Sequence, residues 1–201
     1  MTAIETAALI IWGIFYASFF TKMILMRRQG INSNLLGIGE KPEKTRTVEQ
    51  MLKVVTFSGA PIQLASVFFS GRIWGLPNSW ALQGFGLLLA AVGTAFFIAA
   101  MHAMKMNWRS GCDINQNTSL TVSGPYKISR NPAFVGFDLL YIGWALAFPN
   151  IINLVASSCA IVIFHMQILE EEKFLETVFG KEYQQYKTRV NRYLGKMAST
   201  E

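Results

Sequence analysis

Apolar positions run almost unbroken through residues 3–26, 51–70, 80–104, 133–148 and 151–169, and polar residues collect between these runs. A helix needs roughly 20 apolar residues to cross the hydrocarbon layer. The pattern therefore predicts an all-α, polytopic membrane protein with about five transmembrane helices in a single domain over residues 1–201. The first run ends in Arg27 and Arg28 without a small-residue cleavage site, so it is read as a retained span and not as a signal peptide. Pro61 marks an expected kink in the second run. Pro149 and Asn150 divide the fourth run from the fifth, which predicts a tight C-terminal helical hairpin. The fourth run would measure about 24 Å at 1.5 Å per residue, short of the full hydrocarbon thickness.

Composition agrees with this reading. Of 201 residues, 52% are hydrophobic and 15% charged, too apolar a balance for a soluble domain of this size. Charge adds an orientation. With the N-terminus outside, 17 of the 18 Lys and Arg fall on or beside inner segments and only Arg72 lies outside, the bias that cytoplasmic loops carry. The net charge of +6 then reflects loop bias and attraction to anionic membrane lipids, and calls for no nucleic-acid partner. Cys112 falls in an inner loop and Cys159 inside the fifth helix, so neither a disulfide nor a cysteine metal site is expected. His102 and His165 read as packing residues, and no metal is expected.

Polar residues concentrate in three inner places: the loop 27–50, the loop 105–132, and the end of the fifth helix with its tail, 167–194. A transporter would spread polar groups through its spans; here the chemistry is expected at one interface. The loop 105–132 is rich in turn-forming Asn, Ser, Thr and Gly, yet interleaved Trp108, Leu120, Val122, Tyr126 and Ile128 predict order against the membrane surface. Pro132 suits the first turn of the fourth helix. Glu170, Glu171 and Glu172 would oppose the helix dipole at the end of the fifth span unless the helix continues. Continuation is therefore expected, through Leu175, Val178 and Phe179 to a break at Gly180. Tyr183, Tyr186, Val190 and Tyr193 resume the stripe in a cytosolic amphipathic tail.

Two of these stretches carry a resemblance. GPYKISRNPAFVGF, residues 124–137, resembles the Gly-x-Tyr-x-x-x-Arg-His-Pro-x-Tyr-x-Gly segment of the isoprenylcysteine carboxyl methyltransferase family. EEEKFLETVFGKEYQQYKTRV is similar to that family's Glu-Glu-x-x-Leu-x-x-x-Phe-Gly-x-x-Tyr-x-x-Tyr ending, and NWRSG looks like its Trp-containing turn after the third span. Together they cover roughly residues 100–194, and two motifs in the same order and spacing make a specific signal. The resemblance implies an integral membrane methyltransferase that uses S-adenosylmethionine at the cytosolic face and takes a lipophilic substrate from the bilayer. It implies cofactor contacts at Thr118, Ser119, Leu120, Thr121, Tyr126, Asn131, Pro132, Ala133, Phe134 and Glu171. Arg130, Glu172 and Arg189 match its arginine, its second acid and a basic tail position, and take the catalytic roles. Two positions depart from the pattern: Asn131 stands for the family's histidine, and Gln167 for the arginine that in eukaryotic members grips the prenylcysteine carboxylate.

The chemistry of the residues is consistent with that cofactor. S-adenosylmethionine presents an ammonium, a carboxylate, a ribose diol and an adenine; Glu171, Arg130, the Thr-Ser run, and Tyr126 with Phe134 offer partners for them. Methyl transfer needs positioning and exclusion of water more than a metal or a covalent nucleophile. Each residue also has a plainer reading. The acidic triplet can be solvated charge ending a span, Arg130 an inner-loop cation, and Tyr126, Tyr183 and Tyr186 interface anchors. Asp138, about two turns into the fourth helix, is either a substrate contact, like Gln167, or an acid satisfied by a basic neighbour. The competing functions are a phospholipid amine N-methyltransferase, a sterol-reductase-like enzyme using NADPH, and a noncatalytic membrane scaffold.

Overall fold

The computed structural model describes residues 1–69, 75–111 and 119–195. Arg72, Cys112 and Thr118 lie outside the described residues. Five helices follow one another: α1 (Ala3–Arg28), α2 (Glu43–Phe69), α3 (Trp80–Met104), α4 (Pro132–Ala147) and α5 (Ile151–Lys187), with single 3-10 turns at Lys105–Asn107 and Gly124–Lys127. Four of them, α1, α2, α3 and α5, are long and apolar enough to cross a membrane, while α4 has 16 residues. The five runs of the sequence thus become five helices of an integral membrane protein, with the fourth the short one.

Local chemistry sets the helix ends. Thr2 and Glu5 form a reciprocal capping box on α1, and the Ser79 hydroxyl accepts from Leu82 N to start α3. Pro132 occupies the first turn of α4, where its missing N–H costs nothing. The carbonyls at the C-terminal end of α4 run short of helical backbone donors, and amide side chains supplement them. Asn78 Nδ2 donates to Ala147 O at 3.0 Å, and Asn153 Nδ2 to Trp144 O and Phe148 O at 3.1 and 3.0 Å. These bonds close the α4–α5 hairpin. Pro61 lies inside α2 without ending it. Helix α2 begins at Glu43, well before its apolar run, because its first turns are polar and rest on Glu170 of α5 and Lys41 of the preceding connector. Helix α5 continues past the acidic triplet to a break at Gly180, which adopts φ 47°, and then runs to Lys187.

The helices are joined differently at the two ends of the bundle. At one end the links are short, with Leu76 N donating to Pro149 O and a bridge between Gly75 and Asn150. At the other end gather the chain between α1 and α2, the segments flanking residues 112–118, and the end of α5. Lys22 Nζ donates to Lys105 O at 2.7 Å, and Thr45 Oγ1 to Glu170 Oε2 at 2.8 Å. The aromatic core formed by Phe15, Phe97, Phe137 and Trp108 lies between α1, α3 and α4 and supports that second end.

Candidate functional site

Residues 123–131 and the C-terminal segment are stitched together. Arg130 N donates to Asn191 O at 3.0 Å, Gly195 N to Ile128 O at 2.8 Å, and the Tyr186 hydroxyl to Tyr126 O at 2.6 Å. Tyr183, Tyr186 and Val190, spaced as one helical face, are buried against Leu120, Leu175 and Phe179. The tail stripe is therefore packed under the protein. At its centre lies Glu172, 4% exposed. Its Oε1 accepts from Arg130 Nε (3.1 Å), Arg130 Nη2 (3.0 Å) and Asn131 Nδ2 (3.0 Å), and its Oε2 from Arg192 Nε (3.1 Å) and Nη2 (3.0 Å). Burial by itself would raise the Glu172 carboxyl, but the bonds from Arg192 and the charge and bonds of Arg130 outweigh it and hold the group below the usual carboxylate range. Arg130 spends its remaining edge on Val190 O at 2.8 Å.

One turn of α5 presents the neighbouring acid to a different environment. Beyond the apolar, membrane-spanning part of α5 (151–169), Glu171 faces a cavity of about 250 Å³ at the end of the bundle where the α1–α2 connector and the end of α5 gather. Burial pushes its carboxyl up to about 7, against a hydrogen bond from Gln167 Nε2 at 3.0 Å; the charge of Glu49 adds to the rise and that of Lys41 subtracts. Tyr126, on the same wall, has its phenol raised by burial and then by the Glu171 charge. The polar half of the wall adds Ser119, Thr121, Asn107 and Ser110. The start of α4 also opens here. Its first-turn amides at Ala133 and Phe134 have no intrahelical acceptor, and Asn131, the N-cap, gives them no side-chain bond; its Nδ2 donates instead to Glu172 Oε1 and Arg192 O. The cavity then deepens between α1 and α2 into an apolar half formed by Phe15, Tyr16, Phe19, Leu52, Phe57 and Phe137. Phe20 and Phe57 line it while 48% and 58% exposed, so this half reaches the lipid-facing surface.

Most of the expected site residues come together on this cavity. Ser119, Leu120, Thr121 and Tyr126 wall it from the loop before α4, Arg130, Asn131, Ala133 and Phe134 from the start of α4, and Glu171 from α5. Pro132 is buried beside them, off the wall. Four residues stand apart. Glu172 is turned into the arginine cluster. Gln167 is 0% exposed and off the wall, one turn before Glu171 and bonded to it. Asp138 is half-buried on α4 with Oδ1 unpartnered and off the wall. Arg189 is exposed, and the tail cation that meets Glu172 is Arg192. Beyond the end of α5 at Lys187, Val190 turns inward against Tyr183 and Tyr186 while its neighbour Arg189 points out to solvent. Sequence reasoning also missed the α1 and α2 side chains of the apolar half, where Phe and Leu in a span carry no signal beyond hydrophobicity.

Comparison with known proteins adds kinship. Protein-S-isoprenylcysteine O-methyltransferase A of Arabidopsis thaliana is 29% identical over 121 residues, 56% of this chain and 58% of that protein. Protein-S-isoprenylcysteine O-methyltransferase B of the same plant is 29% identical over 133 residues, 62% of each chain. The Schizosaccharomyces pombe protein-S-isoprenylcysteine O-methyltransferase is 30% identical over 77 residues, 38% of this chain and 33% of that one. The chain spans about three fifths of the length of the two plant relatives. The phospholipid methyltransferase family profile matches residues 82–182, which hold α3, α4, most of α5 and the cavity's polar half. With half of its length matched in this way, the chain belongs to the phospholipid methyltransferase family.

Proposed function

We propose that the protein is an integral membrane enzyme that transfers the methyl group of S-adenosylmethionine to a lipophilic acceptor. The observation that carries this reading is the single cavity with a polar half at the inner-loop end and an aromatic half that reaches the lipid-facing surface between α1 and α2. A water-soluble donor and a membrane-dissolved acceptor can meet only in such a place. The donor set fits S-adenosylmethionine: Glu171 and Tyr126 for its ammonium and ribose hydroxyls, Ser119 and Thr121 as further polar partners, and the open amides of Ala133 and Phe134 for its carboxylate. Bound there, the cofactor supplies a methyl carbon already activated for displacement. The protein's part is to orient both reactants and exclude water, worth roughly 7–11 kcal/mol of barrier when geometry is optimal. Arg130 and Glu172, occupied with each other and with Arg192, serve to fix the loop before α4 to the tail.

The Lys and Arg distribution supports a cytosolic face for the polar half, with the N-terminus outside. The plant relatives are named for an isoprenylcysteine acceptor, and a prenylated thiol acid is the first acceptor to test here. A lipid amine is the second reading. It is favoured by the phospholipid methyltransferase profile that the chain matches over residues 82–182. Calorimetry on the detergent-purified chain tests the donor assignment. S-adenosylhomocysteine is expected to bind, and Glu171→Gln to weaken it at least tenfold with the fold intact. Binding of reduced nicotinamide cofactor in its place, or equal affinity in the variant, overturns the assignment.

A further inference from the structure

Lys41 and Glu49 make an ion pair of 2.6 Å with side chains 4% and 0% exposed. Taking two charges out of water together returns little net stability, so such a pair calls for another role. Its contacts supply one. Glu49 Oε2 accepts from Gly37 N at 2.7 Å as well as from Lys41 Nζ, and Lys41 Nζ also donates to Leu35 O at 2.7 Å. The pair thus ties the α1–α2 connector to the first turns of α2. The same connector forms a parallel bridge with the chain after α3: Leu35 N donates to Ser110 O, and Ser110 N to Ser33 O, each at 2.8 Å. Gly111, at φ 94°, is wedged between them. A β-carbon there would lie 3.0 Å from the Leu35 carbonyl carbon and 3.1 Å from Glu49 Oε1. Asn34, Leu35 and Leu36 of this connector wall the cavity that Glu171 faces.

We propose that residues 33–41 form a strap closing the donor pocket, and that Lys41 and Glu49 are positioning residues that hold this strap against the wall it shares with Glu171. The inference rests on the donor assignment made above. It makes a prediction that mere support of the fold does not. Glu171 is faced by Gln167 from its own helix, by Glu49 and Lys41 from α2 and the strap, by Tyr126 from the loop before α4, and shares its wall with Arg109 and Arg130. Of these, Glu49 and Lys41 act on the Glu171 carboxyl with opposite signs. Removing one or the other must therefore move its titration in opposite directions.

The experiment measures S-adenosylhomocysteine affinity from pH 5.5 to 8.5 on the full-length chain in detergent, for wild type, Lys41→Met, Lys41→Arg and Glu49→Gln. Lys41→Met should move the midpoint of the affinity profile to higher pH and Glu49→Gln to lower pH, each by about one unit. Lys41→Arg should restore the wild-type midpoint. Both charge-removing variants should also bind several-fold more weakly at the pH where Glu171 is fully ionised, because the strap is loosened. Midpoints that stay put, or that move the same way, in variants that melt cooperatively overturn the strap while leaving the donor assignment standing. A wild-type chain with no affinity for the probe sinks both. Should Lys41→Met fail to fold, the contrast between Lys41→Arg and Glu49→Gln decides: arginine must hold the midpoint and glutamine must shift it.

Discussion

Two adjacent acids of α5 end in opposite electrostatic states because successive residues of a helix point about 100° apart. Glu172 turns into a cluster of two arginines and an asparagine amide and is held ionised. Glu171 turns to the cavity, where burial lifts its carboxyl to about 7. The sign of the functional consequence follows. A donor ammonium or hydroxyl is better held by the ionised acid, so affinity for S-adenosylhomocysteine should climb as pH rises from 6 toward 8, approaching tenfold per unit below the midpoint, and then level off. Glu171→Gln should flatten that profile; a profile equally steep in the variant assigns the titration to another group. The same raised value bears on stability. The contribution of a protonated Glu171 is fully present below the ordinary carboxylate range and is lost as pH rises through about 7. At this scale the motif spacing was enough to expect Glu171 and Tyr126 near one another, and both line the cavity. It named Arg189 as the tail cation where Arg192 is the one that meets Glu172, because the chain leaves helical geometry after Lys187 and residue spacing no longer fixes which side chain turns inward.

Among the elements, α4 depends on α3 more closely than its length suggests. Glycines seven residues apart on each helix face one another. An added β-carbon on Gly86 would lie 2.5 Å from Gly143 O, and one on Gly143 2.4 Å from Gly86 O; Gly93 and Gly136 oppose each other in the same way at 2.6 and 2.8 Å. Small residues let membrane helices approach and gain dispersion contacts that lipid cannot replace. The short α4, with its N-terminus on the cavity, is thereby fixed in depth by α3. Gly143→Ala and Gly136→Ala should each cost about 1–3 kcal/mol, read as a lowered melting temperature in detergent. Gly84→Ala, where nothing lies within 4 Å, should be neutral. Equal melting of all three would show that the helices slide apart freely. Helix existence was legible because long apolar runs admit few alternatives. The start of α2 was not, because residues 43–50 are polar and one of their burial partners, Glu170, is 125 residues away in sequence.

For the whole molecule, the decisive fact is that side chains 42 and 20 residues apart share one small buried cluster. Arg130 belongs to the loop before α4, Glu172 to α5 and Arg192 to the tail, yet the three meet within 3.2 Å contacts. The sequence allowed the loop and the tail to be assigned to one face through charge bias, but it could not supply the cluster, which depends on α5 running on past the bilayer and breaking at Gly180. This cluster should make the protein's stability fall in acid. Because the folded value of Glu172 is depressed, the stability it contributes is present above the ordinary carboxylate range and is lost as pH falls through that lower value. Replacing the acid tests the same coupling at neutral pH. Glu172→Gln leaves Arg130, 9% exposed in its side chain, without a counter-charge, at a cost of about 3 kcal/mol. Arg192, 37% exposed, keeps its access to water and adds little. The variant should melt earlier than wild type, lose its extra sensitivity to acid, and expose residues 188–195 to faster proteolysis. Affinity for S-adenosylhomocysteine should fall with it, since Tyr126 and the first turn of α4 are held in place by the tail. A variant with wild-type melting and proteolysis but weaker donor binding would instead put the Glu172 carboxylate in direct contact with the donor, and the division of labour between the two acids would have to be redrawn.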